Sequence, residues 1–255
     1  HGTGKEHEVK KAFRADFEGA GTLQNLIGER FGFTSFVLQS PAYPTVKDYV
    51  DLRTKILKHG AGQLENRIEL SNHQAKGGKT SLRALSVAKS PSMVCAKAHL
   101  ESELLHFQKS DHYTFRAWYL IESGMPYTIA DIKSSWIEGT PGLRLRFEDT
   151  GSPSLELKWA DKPVYRQNLG RPYSPPRGKW FHVVIHLKLS EKEDGVNELW
   201  IDGQQLIRSK GRNLPLAGAL YNHLEVGVTA THGPAVVLVD DVEVGSTPPS
   251  FSQTQ

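Results

Sequence analysis

Much of this chain repeats with a period of two, and that constrains its fold more than any other feature. Gly142 to Glu148 sets Leu143, Leu145 and Phe147 against Arg144, Arg146 and Glu148. Phe181 to Leu189 sets Phe181, Val183, Ile185, Leu187 and Leu189 against Trp180, His182, Val184, His186 and Lys188. The stretches 154–159, 198–202, 223–230 and 235–244 behave in the same way, and 79–87, 93–104 and 113–121 are also strand-like. Successive side chains leave a β-strand on opposite faces, whereas a helix buries every third or fourth residue. Turn signals separate the runs, among them Gly77-Gly78, Thr140-Pro141-Gly142, Glu193-Asp194-Gly195 and Asp202-Gly203. The spacing predicts an all-β fold, a jelly roll or two-sheet antiparallel sandwich with a concave groove. Over Asp48 to His59 two readings stay open. Tyr49, Val50 and Thr54 weaken a helix, and a strand would leave Leu52, Ile56 and Leu57 partly buried.

A chain of 255 residues suits one domain. Residues 1–14 read as a polar arm, 15–246 as the jelly roll, and 247–255, with Pro248-Pro249, as a tail. No internal repeat stands out. No apolar run approaches the roughly 18 residues that a spanning helix needs, so no membrane partner is expected. A net charge of +3, with no dense Lys/Arg run and no recognition-helix pattern, argues against nucleic acid. Phosphate-loop and dinucleotide motifs are absent. The single Cys95 excludes an intrachain disulfide and a cysteine zinc site; within Met93 to Ala96 it reads as a buried thiol. The chain starts at His1 without Met, as a processed secreted protein or a trimmed chain would. A secreted, extracellular monomer is the expectation.

The outer faces carry the chemistry. In a sandwich the inner faces make the core, and a curved sheet turns its outer face into a groove. Lys97, His99, Glu101 and Glu103 alternate with Ala96, Ala98, Leu100 and Ser102. Arg116 and Trp118 alternate with Phe115, Ala117 and Tyr119. Trp180, His182, His186 and Lys188 share one strand face. Cations pair with carboxylates and an indole packs on a pyranose ring, so these faces suit an acidic polysaccharide. A merely solvated outer face is the competing reading. Tyr165-Arg166-Gln167 reads as a loop over the groove.

Three blocks carry a family resemblance. The first is Asp16-Phe17-Glu18 with Asn66-Arg67-Ile68-Glu69-Leu70-Ser71 and Gly78-Lys79-Thr80-Ser81-Leu82-Arg83. The second is Lys179-Trp180-Phe181-His182-Val183 with the hairpin Gly195 to Gly203, and the third is Val237 to Val244. Their order resembles the concanavalin-like jelly rolls of polysaccharide lyases and of laminin-G-type glycan-binding modules. Among lyases it is most similar to the glucuronan-lyase and heparin-lyase-like group, over residues 15–245.

The resemblance implies a lyase that cleaves a uronate-containing polysaccharide by β-elimination. One group neutralises the C5 carboxylate, a base takes the C5 proton, and an acid protonates the leaving O4. Arg67 resembles the Arg of an Arg-x-Glu strand in related lyases and would neutralise or position, with Glu69 orienting it. His99, His182, His186 and Tyr221 are the candidate bases. Arg67, His99 and Tyr221 are assigned to catalysis. Glu69, Lys97, Glu101, Arg116, Trp118, His182, His186 and Lys188 are assigned to substrate. The family's frequent Gln-x-His and Tyr-x-Lys triplets do not appear intact.

A structural calcium is the implied cofactor, with Glu18 and Asp241 as ligands. Asp240 and Asp241 alternate in face, so only one is expected to reach it. Zinc is disfavoured: there is no His-Glu-x-x-His pattern, and His182 and His186 lie roughly 13 Å apart by strand rise. Two other functions remain open at this point. One is a non-catalytic secreted glycan-binding module. The other is a jelly-roll glycoside hydrolase using Glu101 and Glu103, which share a strand face.

Overall fold

The computed structural model describes residues 10–28, 30–60, 64–158 and 163–252. In chain order its elements are β1 (Phe13–Ala15), α1 (Leu23–Leu26), β2 (Ser35–Gln39), α2 (Val46–His59), β3 (Arg67–Ser71), β4 (Ser81–Ser86), β5 (Ala96–Ser102) and β6 (His112–Gly124). There follow β7 (Thr128–Lys133), β8 (Gly142–Phe147), β9 (Pro153–Lys158), β10 (Val164–Arg166) and β11 (Trp180–Lys188). The last are β12 (Val196–Ile201), β13 (Gln204–Lys210), β14 (His223–Thr231) and β15 (Ala235–Gly245). Trp159, part of one alternating run, lies outside the described residues.

Two antiparallel sheets result. The first runs β13-β12-β11-β6-β15-β4-β3, with β1 also pairing β15. The second runs β10-β9-β8-β7-β14-β5-β2. The alternation predicted from sequence decides what lies between them. Phe115, Ala117, Tyr119, Val183, Ile185 and Leu199 of the first sheet meet Ala98, Leu100, Leu145, Leu157 and Val226 of the second in one core. Burying each large apolar side chain contributes about 1.5–3 kcal/mol, which makes the register of every strand expensive to shift. This is the all-β sandwich expected, and it belongs to the jelly-roll type.

Asp48 to His59 resolves to helix, within α2. Thr45 accepts from the Asp48 amide (3.2 Å), and Asp48 accepts from the Thr45 amide (3.1 Å), a closed capping box. Leu52 and Ile56, four apart, are buried on one side, while Val50 and Leu57 face out. The cap and the four-residue spacing outweigh the β-branched residues. The helix packs beside β2, and Arg53 donates to Ser35 across that contact.

Three sequence expectations change in detail. Tyr165 and Arg166 lie in the short edge strand β10 rather than a loop. Cys95 is half-buried, because it precedes the first fully buried residue of β5. Residues 247–252 of the segment read as a tail lie along the outer face of the first sheet. Thr114 Oγ1 donates to the Thr247 carbonyl (2.8 Å), Ser252 Oγ to Glu198 (2.7 Å), and Phe251 meets the Trp200 ring edge-on. No helix among the described residues is long and apolar enough to cross a membrane.

Candidate active site

The outer face of the second sheet holds an unusual set of side chains. Lys97, His99 and Glu101 of β5 alternate with Ala98 and Leu100, which enter the core. On β14, Glu225 lies directly across from Glu101; on β7, Asp131 lies across from Glu225 and Lys133 from His223. Side chains pointing away from a core are ordinarily wet. Here His99 is fully buried, and Glu101, Asp131, Lys133, His223 and Glu225 are each 9% exposed or less. Such burial of ionisable groups is tolerated only where they satisfy one another. Lys133 Nζ bridges Glu225 (2.9 Å) and Asp131 (3.3 Å), and His223 Nε2 meets Glu225 at 2.9 Å. His223 Nδ1 reaches Glu103 at 3.1 Å, so an imidazole sits between the two carboxylates that the hydrolase reading needs.

His99 is satisfied on one side only. Its Nδ1 is 3.3 Å from the Leu100 carbonyl, which can only accept, so Nδ1 carries the proton. Nε2 is then a bare acceptor, and it has no hydrogen-bond partner. Burial lowers the imidazole pKa to about 4, which keeps the ring neutral. Gly227 of β14 lies directly opposite His99. At φ +127° a Cβ there would stand 2.8 Å from the Ala98 carbonyl oxygen. Only glycine fits, because that Cβ would also stand 3.3 Å from the Cβ of Ala84 in the core.

Neighbouring groups are tuned by the same water-poor setting. Burial and the charge of Glu225 raise Glu101 to about 7, while Lys133 and His223 hold Glu225 well below the carboxylate range. Tyr49, half-buried on α2, has its phenol raised by burial and by the charges of Glu101 and Glu225. Farther along the face, Glu156 is clamped by Arg144 (2.8 Å) and Arg146 (2.7 Å), and both guanidinium groups lie about 5 Å from the Tyr127 ring. Lys158 is lowered to about 8 by burial and by Lys133 and Lys97.

The sequence-derived site divides between the two sheets. His99, Lys97 and Glu101 share the face just described. Arg67, Glu69, Arg116, Trp118, His182, His186 and Lys188 lie on the outer face of the first sheet, across the whole core. Four residues expected in one cleft, Arg67, His99, Arg116 and His182, therefore do not converge. The reason is topological: β5 and β6 are consecutive in sequence but belong to different sheets.

On the first sheet, Arg67 pairs with Glu69 (3.1 Å), and Glu69 also meets Arg83 (3.4 Å), beside a cleft of about 560 Å³. Trp118 is flanked by His182 (4.7 Å between rings) and by Lys76 (4.4 Å to the ring). His186 is fully buried, with one nitrogen 2.6 Å from Glu198 and the other 2.8 Å from His112. Tyr221 is in the core. Its hydroxyl donates to the Asn213 carbonyl, and burial raises the phenol far above its usual range.

Glu18 and Asp241 do meet, at the Lys76 to Thr80 turn. Glu18 accepts from the amides of Lys79 and Thr80, both at 2.9 Å. Asp240 accepts from those of Lys76 (2.9 Å) and Gly77 (3.1 Å). The Asp241 carboxylate stands against Gly77 as well. Strict alternation was expected to allow only one of the two aspartates here. A register shift in β15, with Asp241 at φ +46°, brings both to the turn. Asp241 is raised by burial and then by the charges of Asp16 and Glu18.

Asp131, Lys133, His223, Glu225 and Tyr49 escaped the sequence reading. A signal existed for four of them. Asp131 interrupts the apolar Ile129–Ile132 stretch and Lys133 follows it, and His223 and Glu225 flank Leu224, all at outward positions of their strands. Tyr49 was obscured because the helix itself was undecided.

No curated protein sequence matches the chain. Solved structures do match in fold. An endo-β-1,4-glucuronan lyase from the fungus Trichoderma reesei superposes with a TM-score of 0.58 at 13% identity, over 84% of this chain and 96% of its own. The cellulose-induced protein Cip1 gives 0.59 at 14%, over 94% and 100%. The alginate lyase Aly36B, as a double mutant with an alginate tetrasaccharide, gives 0.51 at 12%, over 95% and 100%. At such identities these likenesses speak for the fold. The sequence itself matches the polysaccharide lyase family model over residues 54–242, from within α2 into β15 and through both sheets, and the chain belongs to that family.

Proposed function

We propose that this polysaccharide lyase cleaves a uronate-containing polymer by β-elimination on the outer face of the second sheet, with His99 as the base. The observation that carries the assignment is the state of its imidazole: neutral, proton on Nδ1 and Nε2 bare. Nε2 takes the C5 proton, the C4–C5 double bond forms, and the C4–O4 bond breaks. Lys97, two residues along the same strand face, and Lys133 supply the positive charge that makes the C5 proton acidic by offsetting the uronate carboxylate. Tyr49, held protonated, delivers a proton to the departing O4. The clamped Arg144–Glu156–Arg146 group gives the same face a rigid cationic stretch for neighbouring uronates. The first-sheet residues serve the scaffold in this reading.

Incubation with glucuronan, alginate and heparin, read by the ultraviolet absorbance of an unsaturated uronate, tests the reaction. Turnover is expected with at least one polymer and lost in both His99→Ala and Tyr49→Phe. Retained turnover in His99→Ala removes the assignment. We also propose secretion, a monomer, and calcium held by Glu18 and Asp241 as a clamp between the first and last strands. Chelation is expected to lower the melting temperature, and a Glu18→Gln variant to be insensitive to it.

A further inference from the structure

The groove face carries a second kind of site. One ring nitrogen of His99, one oxygen of Glu101 and one of Glu225 lie within 4.8 Å of one another, and the same holds for Glu101, Glu103 and His223. The two groups share Glu101. Carboxylates crowd together on many protein surfaces without holding anything, so the proximity alone carries no weight. The second observation is His99 Nε2. It is fully buried, has no hydrogen-bond partner, and stands 3.9 Å from Glu225 Oε1. A water-poor nitrogen lone pair aimed at a carboxylate loses its hydration and gains nothing in return. A cation between the two atoms satisfies both.

We propose that His99, Glu101 and Glu225 form a binding site for a zinc-class divalent cation, distinct in donor chemistry from the all-oxygen cluster at Glu18. One imidazole nitrogen and two carboxylate oxygens are a borderline-soft set that suits zinc better than calcium. Ligand atoms around a tetrahedral zinc stand roughly 3.3 Å apart, so the 3.9 Å gap closes by about half an ångström.

Lys133 is the built-in competitor, since its ammonium lies 2.9 Å from the Glu225 oxygen that the metal needs. It has a second partner, Asp131, at 3.3 Å, and swings onto it when a metal enters. Zinc therefore binds against a resident charge, and occupies the nitrogen assigned above as base. The site stands on its own geometry. Only its consequence, inhibition of elimination by zinc, rests on the lyase reading.

The test titrates zinc chloride into the full chain by calorimetry, with calcium in excess to fill the oxygen cluster. One zinc per chain is expected. His99→Ala and Glu225→Gln each weaken it by more than about tenfold, the loss that even an outer-shell change produces. Lys133→Gln tightens it, and His182→Ala leaves it unchanged. Cobalt in place of zinc gives the visible absorption of a tetrahedral centre in the parent and not in His99→Ala. Absence of heat up to about 1 mM zinc in both the parent and Lys133→Gln overturns the proposal. Binding indifferent to His99→Ala overturns it too, and that result needs no enzymatic activity to be read. His99-dependent binding that leaves turnover untouched supports the cation site and overturns His99 as the base.

Discussion

The two outer faces of this sandwich each bury a histidine completely, and they do so to opposite effect. His186, on the first sheet, has both ring nitrogens engaged, by Glu198 at 2.6 Å and His112 at 2.8 Å, and residues up to Ser252 close over it. His99, on the second, has one nitrogen engaged and one bare. Burial with full pairing makes a side chain structural. Burial with one unmet lone pair stores reactivity, because the folded state has already met the cost of removing water. The comparison separates scaffold from chemistry where residue type alone does not.

The sharpest way to break that contrast is to remove each imidazole in turn. His99→Ala is expected to lower kcat on a uronate polymer by about 10²–10⁴, the range for loss of a general base, beyond the modest loss of stability from the cavity it leaves. Unsaturated product by ultraviolet absorbance, alongside calorimetric melting, checks both halves. His186→Ala should do the reverse. It takes one of three hydrogen-bond partners from the buried Glu198, leaves His112 unpaired on that side and costs about 1–3 kcal/mol by denaturant titration, while the folded fraction keeps its kcat. A parallel loss of activity in the two variants would erase the distinction between the faces.

Smaller effects sharpen it. Tyr221→Phe removes the hydrogen bond to the Asn213 carbonyl and is expected to cost about 1 kcal/mol without altering turnover. A collapse of kcat would return that phenol to the catalytic list. Lys158→Met is expected to raise the melting temperature slightly at pH 7. Burial and two nearby lysines lower the folded pKa of Lys158 to about 8, below its unfolded value, so the unfolded chain binds its proton more tightly. The parent therefore gains stability as pH rises from about 8 toward 10.4, whereas the methionine variant does not. Its advantage at pH 7 should have vanished by the top of that window, and an advantage that persists there would place the lysine in a different environment.

The strands were legible because each apolar side chain of a half-buried strand has a polar neighbour on either side. That local rule placed Lys97, His99 and Glu101 on one outward face, and His182 and His186 on another. It could not say which outward faces adjoin. Adjacency depends on crossovers such as the one that sets β15 between β6 and β4. Arg67, Arg116 and Trp118 were consequently grouped with His99 although a whole core lies between them. Tyr221 was misplaced for a different reason: its backbone pairs with Phe107 just ahead of β14, and that bridge directs the ring inward. Lys133 and Glu225 make sense only as partners, and nothing in a linear reading joins positions so far apart.

The position of the last two strands has a consequence for synthesis. β14 sits between β7 and β5, and β15 between β6 and β4, so each sheet is completed only when residues 223–245 are in place. A nascent polypeptide still missing residues 223–245 carries open ladders on both layers, and such edges invite pairing between copies. Folding of both sheets on the ribosome must wait until residues 223–245 have emerged, and truncation ahead of them should yield aggregates rather than a smaller enzyme.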